Sequence, residues 1–350
     1  MNLQDLFITE DITIKEGIKK LDKTAKKILL ITEDNKLKGV ITDGDIRRWI
    51  LKNGNLCEKV KVIMNNNPMY LTKENEYKAR QIMKEKLIEA IPIMNEKEEI
   101  VDIIFWNDSF KEKLNHYNRI ENPVVIMAGG KGTRLYPFTK ILPKPLIPIG
   151  DVPIVERIIN RFTDYGCNQF YFTVNHKKNM IKAYFNELEK NYTVEYIEEE
   201  KPLGTGGSLY LLKDRMNETF FVSNCDILIE GNYSDMLKYH KDNENKITMI
   251  TSLKHNTIPY GVIELGKKGT VNNIIEKPEY NFLVNTGMYI LEPETLNDIP
   301  ENQFYHITDL INDYIKKGEK VGTYPVSDRA WMDMGQLEEM ENMINRLGLK

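Results

Sequence analysis

Cysteine is scarce. Cys57, Cys167 and Cys225 are the three in a chain of 350 residues. They are odd in number and far apart, which gives neither a disulfide framework nor the paired spacing of a zinc site. A reducing, cytoplasmic compartment is expected. Histidine is nearly as thin, with five residues. None forms an H-x-x-x-H pair or a nucleophile–base set, so zinc and covalent chemistry are not expected. No apolar run approaches the ~20 residues of a membrane-spanning helix. Asp5, Glu10 and Asp11 do not suit a signal peptide, so no membrane partner is expected. An excess of positive charge is missing too. The chain has 48 Lys and Arg against 52 Asp and Glu, a formal net charge of −4, which offers no basic field to nucleic acid. What is there, 41% hydrophobic and 29% charged residues, supports ordinary cores, and the length allows two or three domains.

The stretch Val124–Gly150 carries the most chemistry. Val124-Val125-Ile126-Met127 is an apolar run short enough to be a buried strand. Ala128-Gly129-Gly130-Lys131-Gly132-Thr133-Arg134 follows at once. Clustered glycines cost backbone entropy and are kept where φ is positive or a ligand touches the main chain. Their bared N–H groups can ring an anion, and Lys131 and Arg134 add positive charge, so the loop reads as a phosphate cradle. The spacing is neither Walker A nor G-x-G-x-x-G. Pro143-Lys144-Pro145 comes next, with two prolines stiffening the chain around one ammonium.

Gly129-Gly130-x-Gly132-Thr133-Arg134-Leu135, then Pro143-Lys144-Pro145-Leu146, resembles the signature of the sugar-1-phosphate nucleotidylyltransferases. The resemblance implies a mainly parallel, Rossmann-like (GT-A-like) α/β sheet over residues 123–350. It implies a nucleoside triphosphate held by Ala128, Gly129, Gly130, Gly132 and Thr133. Lys131 and Arg134 would act on the departing pyrophosphate and Lys144 on the α-phosphate.

The first 115 residues contain a repeat. Ile28–Asp45 and Ile91–Asp108 align without a gap at an offset of 63 residues, each reading as strand, acidic turn, strand and polar corner. Helical patterns precede them at Ile14, Ile18 and Leu21, and at Ala79, Ile82 and Met83. This resembles a pair of cystathionine-β-synthase (CBS) domains, an α+β module. The resemblance implies a homo-oligomer and an adenine nucleotide between the copies. Thr42 and Asp45 would hold it, with Arg47 and Arg48 nearby for phosphate. The second copy departs from the pattern: Phe105 stands in place of the hydroxyl residue, although Asp108 remains. A purely structural module is the alternative reading. Trp49 and Trp106 read as packing residues. A linker is expected over residues 116–122.

The remaining chain alternates strands and helices, which predicts a parallel sheet with ligands at the carboxyl ends of its strands. Val152–Tyr165 reads as a helix with Pro153 in first position. Glu198-Glu199-Glu200 precede Gly204-Thr205-Gly206-Gly207, and in the resembled family this loop faces the base. A carboxylate only accepts hydrogen bonds and guanine offers donors, so Glu199, Gly204 and Thr205 suit GTP. The family pattern implies that Asp226, after the strand Phe220–Asp226, and Asp333, in Trp331–Gly335, bind Mg²⁺. It also implies that Gly261, Glu276, Lys277, Asn285 and Thr286 meet the sugar phosphate.

The expected reaction is transfer of a nucleotidyl group, GTP first, to a sugar 1-phosphate. The CBS pairing makes the chain similar to bacterial glucosamine-1-phosphate guanylyltransferases of the legionaminic acid pathway. Mannose- or heptose-1-phosphate guanylyltransferases, then thymidylyl- or uridylyltransferases, are the alternatives. A nucleotide-sensing regulatory protein is the alternative from another class.

Overall fold

The computed structural model describes residues 2–86, 88–105 and 119–349. Trp106 and Asp108 lie outside the described residues.

The amino-terminal repeat is visible in the fold. Strands β1 (Phe7–Ile8), β2 (Ile28–Glu33) and β3 (Lys36–Thr42) form one sheet. Strands β4 (Leu71–Thr72), β5 (Ala90–Met94) and β6 (Ile100–Phe105) form a second with the same parallel-then-antiparallel order. Helix α1 (Ile14–Thr24) precedes the first hairpin, α2 (Asp43–Leu51) follows it, and α3 (Ala79–Lys86) precedes the second. Helix α1 starts at a capping box: the Glu16 amide donates to Thr13 Oγ1 at 3.2 Å and the Thr13 amide to Glu16 Oε2 at 2.7 Å, which satisfies two otherwise orphaned donors. Its Ile14, Ile18 and Leu21 then meet Leu29, Leu30 and Ile41 in a small core. An antiparallel bridge joins Lys36 to Glu99. These two residues are equivalent under the 63-residue offset, so the approximate twofold axis passes between the two turns. Trp49 packs at the rim of this core, and its indole N–H donates to the Asn55 carbonyl at 3.1 Å.

The rest of the chain is built on a seven-stranded sheet. In chain order the strands from residue 124 are β7 (Val124–Met127), β8 (Pro148–Ile149), β9 (Val152–Pro153), β10 (Gln169–Val174), β11 (Thr193–Glu198), β12 (Phe220–Asn224), β13 (Ile227–Ile229), β14 (Ile247–Thr257), β15 (Val262–Leu265), β16 (Val271–Ile275), β17 (Glu279–Leu291), β18 (Val321–Val326) and β19 (Trp331–Asp333). The sheet order is β11-β10-β7-β12-β17-β14-β18, and β17 alone runs antiparallel to its neighbours. Strand β7 is interior to the sheet and wholly buried. Val124 and Ile126 enter one core with Ile158, Phe162 and Phe172, and Val125 and Met127 enter the other with Leu209, Leu291 and Leu310. A strand covered on both faces reads as a continuous apolar run for this reason. Each such side chain contributes on the order of 1.5–3 kcal/mol by leaving water.

Two local expectations change. The helix runs Ile154–Thr163, with Pro153 as its N-cap inside β9 rather than as its first residue. Of the expected linker, Ile120 and Asn122 are buried, and Asn122 Nδ2 donates to the Thr219 carbonyl at 2.7 Å. Both therefore pack against the second unit.

Candidate active site

Strand β7 delivers the glycine-rich loop to the carboxyl edge of the sheet. The Ala128 amide donates to the Thr173 carbonyl at 2.9 Å, so the loop leaves the sheet only after that point. Gly132 has φ of 67°, which glycine adopts without strain, and its carbonyl accepts from Thr139 Oγ1 at 3.0 Å. A methyl group on Gly129 would overlap Glu199 Oε1, whereas Gly130 faces open space. Lys131, Thr133 and Arg134 are exposed along the rim.

Strand β12 ends one turn before Asp226, and β19 ends on Asp333. The two are brought together by the β13–β19 ribbon, which pairs Ile227 with Asp333, and by the Met334 amide, which donates to the Asp226 carbonyl at 2.8 Å. The Lys144 ammonium donates to Asp226 Oδ2. Burial pulls the Lys144 pKa down, but Asp226, with Cys225 and Asp333, outweighs it and the net direction is up. Burial, then the neighbouring Asp226, raises Asp333. Lys144, the Gly335 amide and Arg134 pull it back. A lysine, an arginine and two carboxylates thus share one field, although 107 residues separate Asp226 from Asp333. Two carboxylates with space for phosphate oxygens and water fit a magnesium-like cation, which takes few protein ligands. Among the described residues no group of three metal-binding side chains exists to favour a closed zinc site.

In the loop expected to face the base, Glu199 alone of the three glutamates is buried. Its Oε2 accepts from the Leu203 amide at 3.0 Å, and burial raises its pKa against that hydrogen bond. Glu198 is paired with Lys178 and Lys182, which hold it down at about 2. The glycines have another explanation than ligand approach. A Cβ on Gly204 would sit 2.7 Å from the Tyr305 carbonyl, and one on Gly206 2.7 Å from His306. The amides of Gly206 and Gly207 both donate to the Tyr305 carbonyl at 2.9 Å, and Thr205 Oγ1 accepts from the Ile307 amide at 3.2 Å. This loop is a docking surface for the 303–307 segment, and Glu199 is the group left facing Gly129.

The sugar-side residues divide. Gly261 and Glu276 face each other across the exposed β15–β16 ribbon, and Lys277 sits at its end with φ of 44°. Asn285-Thr286-Gly287 form a bulge where β17 slips register against β14. Thr286 is buried and donates to the Ile250 carbonyl at 2.6 Å, and Asn285 donates to Tyr289 Oη at 2.6 Å. Gly287 has φ of 88° and packs on Asn224, two residues before Asp226. Thr286 therefore shapes the bulge, and the bulge abuts the carboxylate site.

In the amino-terminal unit, Thr42 and Asp45 form the capping box of α2. Asp45 Oδ2 accepts from the Thr42 amide at 2.9 Å and from its hydroxyl at 2.7 Å, while Oδ1 pairs with Arg48. Both carboxylate oxygens are engaged. The neighbouring Asp43, which the sequence reading passed over, lines a cavity between the two units together with Thr42. Its position in the same corner was the only available signal.

A scan against known families matches residues 123–348 to the nucleotidyl transferase family and residues 1–52 to the CBS domain. The bifunctional protein GlmU of Methanococcus maripaludis strain C7 is 34% identical over 232 residues, 63% of this chain and 53% of that protein. The mannose-1-phosphate guanyltransferase of Saccharomyces cerevisiae is 30% identical over 222 residues, 61% of each chain. The chain thus spans about half the length of the GlmU relatives it matches. Among solved structures, HddC from Yersinia pseudotuberculosis complexed with GMP-PN superposes with a TM-score of 0.50 at 25% identity, over 65% of this chain and 99% of that one.

Proposed function

We propose, from the premise that this chain belongs to the nucleotidyl transferase family, that it transfers the nucleotidyl group of GTP to a sugar 1-phosphate, glucosamine 1-phosphate first. The observation that carries the reading is the convergence of Lys144, Asp226 and Asp333 beside the glycine-rich loop. A phosphate oxygen of the sugar 1-phosphate attacks the α-phosphorus, the bond from that phosphorus to the bridging oxygen breaks, and pyrophosphate leaves with the electron pair. The nucleophile is already an anion, so no general base is needed and catalysis reduces to positioning and charge neutralisation. Main-chain N–H groups of Gly129, Gly130 and Gly132, with Thr133, hold the triphosphate. Arg134 and Lys131 offset charge on the leaving group, and Lys144 offsets charge growing at the α-phosphate. Lys277 guides the incoming phosphate, and Gly261, Glu276 and Asn285 meet the sugar. Asp226 and Asp333 would hold Mg²⁺, which supplies positive charge to phosphate oxygens when bound.

Guanine is supported by Glu199, a buried acceptor against the loop, and by the guanyltransferase relatives. Their sugar, mannose, is the nearest rival. The legionaminic acid assignment rests on the CBS pairing, as do an adenine nucleotide in that module and a homo-oligomer. No described helix is long and apolar enough to cross a membrane.

The test is pyrophosphate release with Mg²⁺ from GTP, CTP, UTP, dTTP or ATP against glucosamine-, mannose- and glucose-1-phosphate. Turnover is expected with GTP and glucosamine 1-phosphate. GTP with mannose 1-phosphate alone would remove the pathway assignment, and silence in every combination would favour the regulatory alternative.

A further inference from the structure

A second, smaller cavity lies within the transferase unit, between Arg134, β14, β19 and the last helix, Leu337–Arg346. Its volume is about 190 Å³, roughly that of six waters in the liquid. That is below the range of pockets for drug-sized molecules and ample for a small anion. Three cations line it, Arg134, Lys254 and Arg346, against two carboxylates, Asp333 and Glu339. The reading above gives Asp333 to a metal, which leaves Glu339 opposed by three positive charges.

Local rules build this wall. Trp331 and Asp333 are two residues apart on β19, so both side chains leave one face, while Met332 between them is buried in the core. Glu339, Asn342 and Arg346 stand three and four residues apart and share one face of the last helix. Trp331 fixes two of the cations. The Lys254 ammonium lies 5.1 Å from the centroid of its ring and pairs with Asp328. Arg346 Nη1 donates to the Trp331 carbonyl at 3.2 Å. An ammonium has three N–H donors and a guanidinium five, so both keep donors for a ligand. Arg134 is exposed, and its charge acts on Asp333.

The lining also says which anion. From the glycine-rich loop the cavity takes Arg134, and from the carboxylate pair Asp333. None of Gly261, Glu276, Lys277 and Asn285, assigned above to the sugar phosphate, lines it. Neither do Glu199, Gly204 and Thr205 of the loop expected to face the base. The cavity therefore meets the reaction centre through the residue assigned to the departing pyrophosphate and through one carboxylate.

We propose that Lys254 and Arg346 form an exit subsite for pyrophosphate, reached from the glycine-rich loop by way of Arg134. The binding rests on this cavity alone; its place in the reaction rests on the reading above. A polyanion held against a cationic loop leaves slowly, and product release limits many enzymes. Ammonium and guanidinium groups are strong partners for phosphate oxygens. Two of them beside Arg134 lower the cost of the first step away from the α-phosphate, because the leaving oxygens exchange one set of donors for another.

The full chain is titrated with pyrophosphate by calorimetry, with and without Mg²⁺, as wild type, Lys254→Ala, Arg346→Ala and the conservative Lys254→Arg. Lys254 is half-buried and Arg346 exposed, so melting temperatures should stay close to that of the wild type. Pyrophosphate is expected to bind about 10-fold or more weakly to each alanine variant and near normally to Lys254→Arg. In a Trp49→Phe/Trp106→Phe background it should change the emission of Trp331, because it draws Lys254 from the ring. Its inhibition constant in the forward reaction should rise by the same factor as its dissociation constant. Binding that neither alanine variant weakens would overturn the subsite. Sulfate or phosphate binding as tightly, with the same dependence on Lys254 and Arg346, would also overturn it, since that is an unselective patch of charge. Displacement of bound pyrophosphate by glucosamine 1-phosphate would give the cavity to the incoming phosphate instead. Variant-sensitive binding with no turnover in any substrate combination would strike the proposed reaction and keep the anion site. Turnover whose inhibition by pyrophosphate ignores both variants would strike the site and keep the reaction.

Discussion

The two ends of the transferase unit to which phosphate and sugar are assigned in the proposal above are built differently. At the phosphate end, Lys144, Asp226, Asp333 and Glu199 are held by named partners, and the strands beneath them are buried on both faces. At the sugar end, the β15–β16 ribbon stands away from the core, with Tyr260 74% and Leu265 72% exposed. There Glu279 meets Lys15 and Lys19 of the other unit. Phosphoryl transfer asks for charges fixed before the reaction begins. Sugar choice asks for a surface that closes on the ligand, so less of it is packed beforehand. The comparison teaches that one domain can divide rigidity by task.

Breaking the rigid end has the largest expected effect. Arg134→Ala and Lys144→Ala should each lower kcat/KM on the order of 10²–10³-fold; the melting temperature should barely move for the exposed Arg134 and should fall for Lys144, whose loss leaves Asp226 without its buried partner; pyrophosphate release and a thermal melt would check both, and near-normal turnover would remove the assigned role. Next comes the packing that supports it. Gly206→Ala places a methyl 2.7 Å from His306 and should cost about 1–3 kcal/mol in a urea titration, with the guanine preference retained.

The rigid half also has an acid-sensitive point that the ribbon lacks. His240 is fully buried, with Nδ1 2.8 Å from Thr248 Oγ1 and Nε2 3.0 Å from Glu292. Burial lowers its pKa more than Glu292 raises it. The folded state therefore resists a proton that the unfolded chain accepts near its ordinary value of about 6.5. Stability from the neutral ring is present above that pH and is lost as pH falls below it. The melting temperature should drop as pH falls below about 6.5, and His240→Gln should flatten that slope. The smallest effect belongs to the sugar end: Glu279→Gln removes an exposed pair that lysines hold at about 2, so the melting point should barely move. A rise in KM for the sugar 1-phosphate with kcat unchanged would tie the ribbon to α1; unchanged kinetics would leave the ribbon independent of it.

Much of this was written in short stretches. A four-residue apolar run before a glycine cluster specifies a buried strand and an open loop, because burial on both faces and positive φ are local demands. The repeat was legible because equal local patterns fold alike, and the Lys36–Glu99 bridge on the approximate twofold axis follows from it. The reasons behind Gly204, Gly206 and Gly207 were not legible, since what crowds them is a segment some hundred residues later. The role of Asp45 in the fold was not legible for a related reason: a helix start recruits its third residue as a cap, so Asp45 closes α2 while Asp43 lines the cavity.

By itself the sequence determined the alternation of strands and helices between Val124 and Asp226, the glycine-rich loop and the identity of the charged groups, because periodicity, glycine and charge act over a few residues, whereas the strands beyond Asp226 were not legible. Only the tertiary structure decided that Asp226 and Asp333 share a field with Lys144, that one glutamate of three reaches the loop, and that a cavity opens between two units. Each of those depends on backbone hydrogen bonds and packing between residues far apart in the chain, and no local pattern encodes a distance.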